Sequence, residues 1–214
     1  MTGRSSAPLL SRRNPNLKSF PSLDIQQQIR QSLLKIFPLT DEQIGLFLEK
    51  LHIRSFKKNE YLLEPPKVCR FTALVLKGGF RLYRRTAEKE HTLHFFTETD
   101  WVGDLESFVV QAPTVNHIQA TEKAEIAIIS LHDIHELMAR DSMFLSFGRI
   151  MKGWSVSSNR YTSLIDDTPD ARYRLLLETH PDWILRFSQT HLATYLGMSR
   201  ETYSRVKRRY LSIS

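Results

Sequence analysis

The first apolar residues of the folded part of the chain recur at helical spacing: Ile25, Ile29, Leu33 and Ile36, then Ile44, Leu46, Phe47 and Leu51. Two helices are predicted, one over 24–36 and one beginning at Thr40. Thr40 is a natural N-cap, and Asp41 and Glu42 behind it suit the positive end of a helix. From about 53 to 130 the period changes. Short apolar runs (IRSF, EYLLE, RFTALVLKG, GFRLYRR, HTLHFF, WVGDL, TVNHIQA, AEIAIIS) alternate with turn signals, and Gly78-Gly79 separates two of them at the distance of a hairpin. Short strands at this spacing, with no helix of ordinary length among them, predict an antiparallel sandwich or barrel with Greek-key or jelly-roll connections.

After Ser130 the helical period returns, in a short helix over 132–139 and a long one from 142 to about 165. In the long segment Phe144, Phe147, Met151, Trp154, Ser158, Tyr161 and Ile165 alternate spacings of three and four, which is a heptad seam. Such a helix spans ~36 Å, more than one small domain needs. The seam can pack back onto the strands or pair with its twin in a homodimer; the dimer is the expectation carried forward. Gly148 and Gly153 each cost about 1 kcal/mol inside a helix, so packing has to hold it.

Thr168-Pro169 is a cap followed by Pro at the first helical position, and it predicts a helix over 169–178 carrying Ala171, Leu175, Leu176 and Leu177. His180-Pro181-Asp182 breaks that helix, and a short turn is expected over 183–186. Leu192, Ala193 and Leu196 then share one helix face. Gly197 sits where a positive φ is easily adopted, Ser199 can cap, and Tyr203 and Val206 continue the apolar face on a second helix. The small Ala193 lets the two helices approach closely. This is the spacing of a helix-turn-helix.

Charge sharpens that reading. The formal net charge of the 214 residues is +7, but residues 1–22 and 187–214 carry +4 each, which leaves the intervening body at −1. Concentrated positive charge points to a polyanionic partner, double-stranded DNA above all. Residues 1–22, rich in Ser, Pro, Asn and Arg, are expected to form a disordered basic arm, either touching DNA or without function. No apolar run approaches the ~20 residues of a membrane span, and the N-terminus lacks the apolar core of a secretory signal. Cys69 is the only cysteine, which excludes an internal disulfide framework and a cysteine-held iron–sulfur cluster. A cytoplasmic location without membrane partners is the simplest fit.

On the second helix of the motif the exposed face holds Arg200, Glu201, Arg205, Arg208 and Arg209, with Ser199, Thr202, Ser204 and Lys207 beside them. Near the helix start Arg suits guanine and Glu accepts from cytosine in a major groove. Lys207, Arg208 and Arg209 at the far end suit phosphates. SRETYSR resembles the recognition helix of the cyclic-AMP receptor protein/Fnr family of bacterial regulators, and the order of elements over about 24–211 resembles that family too. The resemblance implies that Arg200, Glu201 and Arg205 read bases and that Ser199 and Thr202 contact phosphate. Together with the pattern of elements above it gives an α+β fold in four parts: the arm at 1–22, which the resemblance does not cover, a β-roll of the sensor type at 23–140, a long dimerisation helix at 141–166, and a helix-turn-helix DNA-binding domain at 167–214. Two features depart from the family pattern. The link from Pro181 to Gln189 is too short for a hairpin, and the chain ends at Ser214 without a wing, so DNA contact is expected to rest on fewer elements.

In nucleotide-binding relatives a Gly-Glu-Leu segment and a later Arg-Ser hold the ribose and the cyclic phosphate. Here Gly103, Asp104 and Leu105 match the start, while Thr114 and Val115 stand at the Arg-Ser position. A charge-assisted hydrogen bond to phosphate is worth roughly 1.5–3 kcal/mol, so its loss should weaken binding at least tenfold. The pocket is expected to be degenerate, with Gly103 and Asp104 serving as a structural turn and a different effector, or none, left open. No cofactor is expected. No metal site is expected either: His91 and His94 should point to opposite faces of a strand, and His132 and His135 lack further ligands. No phosphate loop, Gly-x-Ser-x-Gly elbow or His-Glu-x-x-His motif suggests an enzyme. The reading is therefore a homodimeric, sequence-specific transcription regulator that does not answer to cyclic AMP, with RNA polymerase as a further partner. The alternative is a ligand-binding or scaffold protein whose head does not read DNA.

Overall fold

A computed structural model describes residues 22–36, 38–141 and 168–211. The basic arm and the long helix with its seam (Phe144, Phe147, Met151, Trp154, Ser158, Tyr161, Ile165) lie outside the described residues. The described residues open with α1 (Leu23–Leu34) and α2 (Asp41–Lys50). Thr40 caps α2 with a capping box: its hydroxyl accepts from the Gln43 amide at 3.3 Å, and the Gln43 side chain accepts from the Thr40 amide at 2.9 Å. Ile29, Leu33, Ile44 and Phe47 are the buried faces of this pair.

Eight strands follow: β1 (His52–Phe56), β2 (Tyr61–Leu63), β3 (Phe71–Lys77), β4 (Phe80–Arg85), β5 (Glu90–Phe96), β6 (Trp101–Val102), β7 (Asn116–Ala120) and β8 (Ala124–Ser130). They form two antiparallel four-stranded sheets, ordered β1-β8-β3-β6 and β2-β7-β4-β5. Leu74, Val75 and Ile126 of the first sheet and Phe80 and Ile118 of the second share one buried core, with α1 and α2 packed onto it. Helix α4 (Leu131–Arg140), capped by Ser130, lies beside α2 at the end of the roll.

Four local expectations change. Gly78-Gly79 does not close a hairpin, because β3 and β4 belong to different sheets. The chain crosses between sheets there at close quarters: Gly78 has φ +85, and a Cβ on it would come within 2.5 Å of the Lys123 carbonyl oxygen. In WVGDL only Trp101 and Val102 are strand, and the chain then enters a short helix, α3 (Leu105–Val110), capped by Asp104 and ended by Gln111 at φ +53. Six residues are too few to show a helical period. The alternation assumed for His91 and His94 also fails. Leu82 pairs with His94 and Tyr83 with Thr92, so Leu93 is a bulge, and both histidines sit opposite the same-face residues Leu82 and Arg84. Finally, Pro181–Arg186 is a short helix, α6, rather than a turn, and it buries Trp183.

The C-terminal head contains α5 (Pro169–Thr179), α6, α7 (Gln189–Tyr195) and α8 (Arg200–Leu211). Thr168 caps α5 by accepting from the Ala171 amide at 3.3 Å, with Pro169 at the first position. Tyr173, Leu176, Trp183, Leu192, Leu196, Tyr203 and Val206 form the head's core, and Phe95 of β5 is part of the same cluster.

Candidate nucleic-acid interface

Helix α7 starts at Ser188, whose hydroxyl accepts from the His191 amide at 3.2 Å. It ends in a tight turn closed by the Met198 amide on the Ala193 carbonyl at 3.0 Å, with Gly197 at φ +64. From α5, Arg172 reaches across and donates to the Leu196 carbonyl at 2.9 Å, tying the turn to the rest of the head. Ser199 caps α8 through the Thr202 amide at 3.1 Å. Ala193 is fully buried where α7 crosses α8, as its small size requires.

The two sides of α8 are chemically opposite. Tyr203 and Val206 are buried against Tyr173 and the α7 residues. Ser199, Arg200, Glu201, Arg205, Arg208 and Arg209 are exposed, and Thr202, Ser204 and Lys207 are half-buried at the margins. Arg205 donates to the Thr202 hydroxyl at 3.3 Å, so its guanidinium lies along the helix start. Hydrogen bonds from the helix-start amide and from Ser199 hold the Glu201 carboxyl below its usual range, which keeps it an acceptor. At the far end Arg209 pairs with Asp170 of α5 at 2.6 Å, and the Tyr210 hydroxyl donates to the Asp170 carbonyl at 3.3 Å. This acidic partner was not visible in the sequence. Arg209 and Asp170 are both largely exposed, so the pair contributes at most about 1 kcal/mol.

The residues aligned with a nucleotide pocket divide. Asp104 is buried, caps α3, and accepts from the Thr114 hydroxyl and from Asn116 Nδ2 at 3.1 Å. Thr114 also accepts from the Asn116 amide at 2.9 Å. Gly103 is buried and Leu105 half-buried, whereas Val115 is 56% exposed and stands outside this network. Sequence reasoning missed Asn116 and its partner Arg84, whose Nε donates to Asn116 Oδ1 at 3.2 Å. The signal was available: Asn116, Ile118 and Ala120 alternate inward on β7. Burial pushes the Cys69 thiol up to about 11, which leaves it unreactive. Among the described residues no three His, Cys, Asp or Glu side chains cluster as a metal site.

Head and roll meet at the outer side of β5. A cleft of about 550 Å³ separates residues 89–91 from the turn of the helix-turn-helix, with Arg172, Thr194 and Ser199 on its wall. Beside it, Phe95 inserts among Trp183, Phe187 and Tyr195. The sequence carried a hint of this contact, since HTLHFF places apolar residues on both sides of an edge strand.

Comparison with known proteins agrees with this architecture. Residues 53–141 match the family model of the cyclic nucleotide-binding domain. The cAMP-activated global transcriptional regulator CRP of Salmonella typhimurium is 23% identical over 182 residues, covering 79% of this chain and 87% of the relative. Among solved structures, FixK2 from Bradyrhizobium japonicum superposes with a TM-score of 0.67 at 16% identity, covering 76% of this chain and 85% of that one. The c-di-GMP responsive global regulator CLP of Xanthomonas campestris gives 0.64 at 20% identity, over 81% and 92%. A transcriptional regulator of the Crp/Fnr family from Eubacterium rectale gives 0.62 at 20%, over 83% and 88%. At these identities the structural likeness establishes the fold.

Proposed function

We propose that this chain is a regulator of the Crp/Fnr type, as its similarity to such regulators supports, and that it is a homodimeric, sequence-specific DNA-binding protein that works without cyclic AMP. The observation that carries the reading is α8, a capped helix with one face locked into the head and the other exposing Arg200, Glu201 and Arg205. In this reading Arg200, Glu201 and Arg205 meet base edges, Ser199, Thr202 and Ser204 take the flanking backbone, and Lys207, Arg208 and Arg209 neutralise phosphates. Two copies would enter successive major grooves about one helical turn apart. RNA polymerase is the partner through which such binding would alter transcription.

Independence from cyclic AMP is supported by the Asp104–Thr114–Asn116 network. No cation stands at the Thr114 position, and the nearby carboxylate is already engaged by internal donors. A cyclic phosphate brought there would meet the Asp104 carboxylate, and the Arg84 guanidinium beside the network already donates to Asn116.

The reading is tested by binding to genomic DNA fragments at two salt concentrations, for wild type and for the double variant Glu201→Ala, Arg205→Ala. Sequence preference in the wild type and its loss in the variant are expected. Binding that is absent or equally sequence-blind in both proteins removes the reading. Calorimetric titration with cyclic AMP should give no saturable heat, and micromolar binding would overturn the claim about the pocket.

A further inference from the structure

Among the described residues the head meets the roll at three separated points, none of which uses the exposed face of α8. The first is apolar: the Phe95 ring stacks on Phe187 with centroids 4.1 Å apart and meets Trp183 edge-on at 5.1 Å. Phe187 also abuts the crossing between β3 and β4, lying 3.1 Å from where a Cβ on Gly79 would be. The second is a hydroxyl pair, Thr92 of β5 with Thr194 of α7, at 2.8 Å. The third is the guanidinium of Arg186 at the end of α6. Nη1 and Nη2 donate to the two carboxylate oxygens of Glu98 at 2.6 and 2.8 Å, and Nε donates to Glu122 at 2.7 Å. Glu98 is itself fixed by the Gly78 amide at 2.8 Å. The hydrogen bonds from Arg186 pull the Glu98 carboxyl down to about 2.

Three points define a rigid placement, and of the three the Arg186 fork is the most directional. A planar guanidinium bound in two directions accepts little rotation, unlike stacked rings or a hydroxyl pair. In a two-headed reader the direction in which α8 leaves each protomer sets the distance and phase between the two recognition helices. We infer that Arg186 is a positioning residue for DNA reading: by holding the head to Glu98 and Glu122 of the roll, it sets the half-site spacing that the dimer accepts. This rests on the DNA-binding reading above, but it concerns spacing rather than base choice.

The test starts from an operator selected by the wild type out of a random-sequence duplex pool. It is rebuilt with the half-sites unchanged and the spacer altered by one or two base pairs, each of which rotates a half-site by about 35°. The wild type should lose about tenfold or more in affinity at a two-base-pair change. Arg186→Ala should lose less than about threefold, whatever its affinity for the original operator. Glu98→Gln, which weakens the same fork from the roll side, should flatten the profile likewise. A merely structural role would lower affinity equally at every spacing. A second arm needs no DNA: wild type should unfold calorimetrically in one transition covering roll and head, and Arg186→Ala in two. A wild type that already unfolds in two separate transitions, or a spacer profile unchanged in both variants, overturns the inference. If the wild type selects no DNA, the DNA-reading proposal and the spacing role fall together. The calorimetric arm still reports whether Arg186 joins head to roll.

Discussion

Asp104 and His191 are single residues whose surroundings decide what they can do. Asp104 holds the first turn of α3, the Thr114 hydroxyl and the Asn116 amide group at once, all away from solvent. Replacing it with Ala removes a helix cap and leaves the buried Asn116 amide group without this acceptor, while the Thr114 hydroxyl keeps only the Asn116 carbonyl at 3.3 Å. Those losses are worth about 1 kcal/mol for the cap and 1–3 for an orphaned group, so Asp104→Ala should destabilise by about 2–4 kcal/mol in urea unfolding. A loss near zero would mean that the network is solvated. His191 of α7 is set by its protonation. Burial first, and the nearby Arg81 next, lower its imidazole to about 4, with Glu90 opposing and Lys58 adding to the effect. Between the ordinary value near 6.5 and 4 the unfolded chain therefore binds a proton that the folded chain does not. Stability is present above that window and is lost as pH falls through it. Melting temperatures at pH 7 and pH 4 should show the wild type losing more than His191→Gln; parallel losses would show that the imidazole is hydrated.

The helix-turn-helix is the element on which most of the function is placed, and its geometry tolerates little at two positions. Ala193 is buried at the α7–α8 crossing. Ala193→Leu adds three carbons there and should cost about 1–3 kcal/mol while tilting α8, abolishing sequence preference before the roll is affected. Gly197 has φ +64, and a Cβ on it would meet Arg172 Nη1 at 3.2 Å, the same group that holds the Leu196 carbonyl. Gly197→Ala should cost about 1–2 kcal/mol, read by chemical denaturation of the head. These positions were legible because their signals are local: a small residue, a glycine and a cap at fixed offsets. The same holds for the Thr40 capping box and the Thr168-Pro169 start. What stayed hidden depends on pairing between distant segments. A bulge at Leu93 is specified by the register of β4 against β5, and an apolar run before Gly78-Gly79 suits a hairpin and a sheet crossing equally well. The Arg186–Glu98 fork joins residues 88 apart in sequence, and neither carries a local mark of the other. Within the candidate site, the exposed face of α8 could be anticipated, whereas the pairing of Asp104 with Thr114 could not. Asn116 carried the alternation of an inward strand residue, but its partner Arg84 and the acidic partner of Arg209 could not be assigned without the fold.

At the scale of the molecule, charge and shape coincide. The body between residues 23 and 186 is nearly neutral, and the cations of the C-terminal region gather on the solvent side of one helix. A protein that attracts DNA through such a helix should bind with a strong, countable salt dependence, because each neutralised phosphate releases about 0.9 counterion. Lys207→Gln with Arg208→Gln removes two cations per protomer and four in the proposed dimer. The plot of log K against log salt should become shallower by about 3.6, with the ranking of sequences unchanged. Glu201→Ala should do the reverse: it removes no cation, so the slope stays, while discrimination at one base pair falls by about 1–3 kcal/mol. Measuring both quantities for both variants separates a helix that reads bases from a basic surface that merely adheres. On the adhering surface Glu201→Ala would tighten binding to every sequence alike. On the reading helix it weakens binding to the preferred sequence and spares the others.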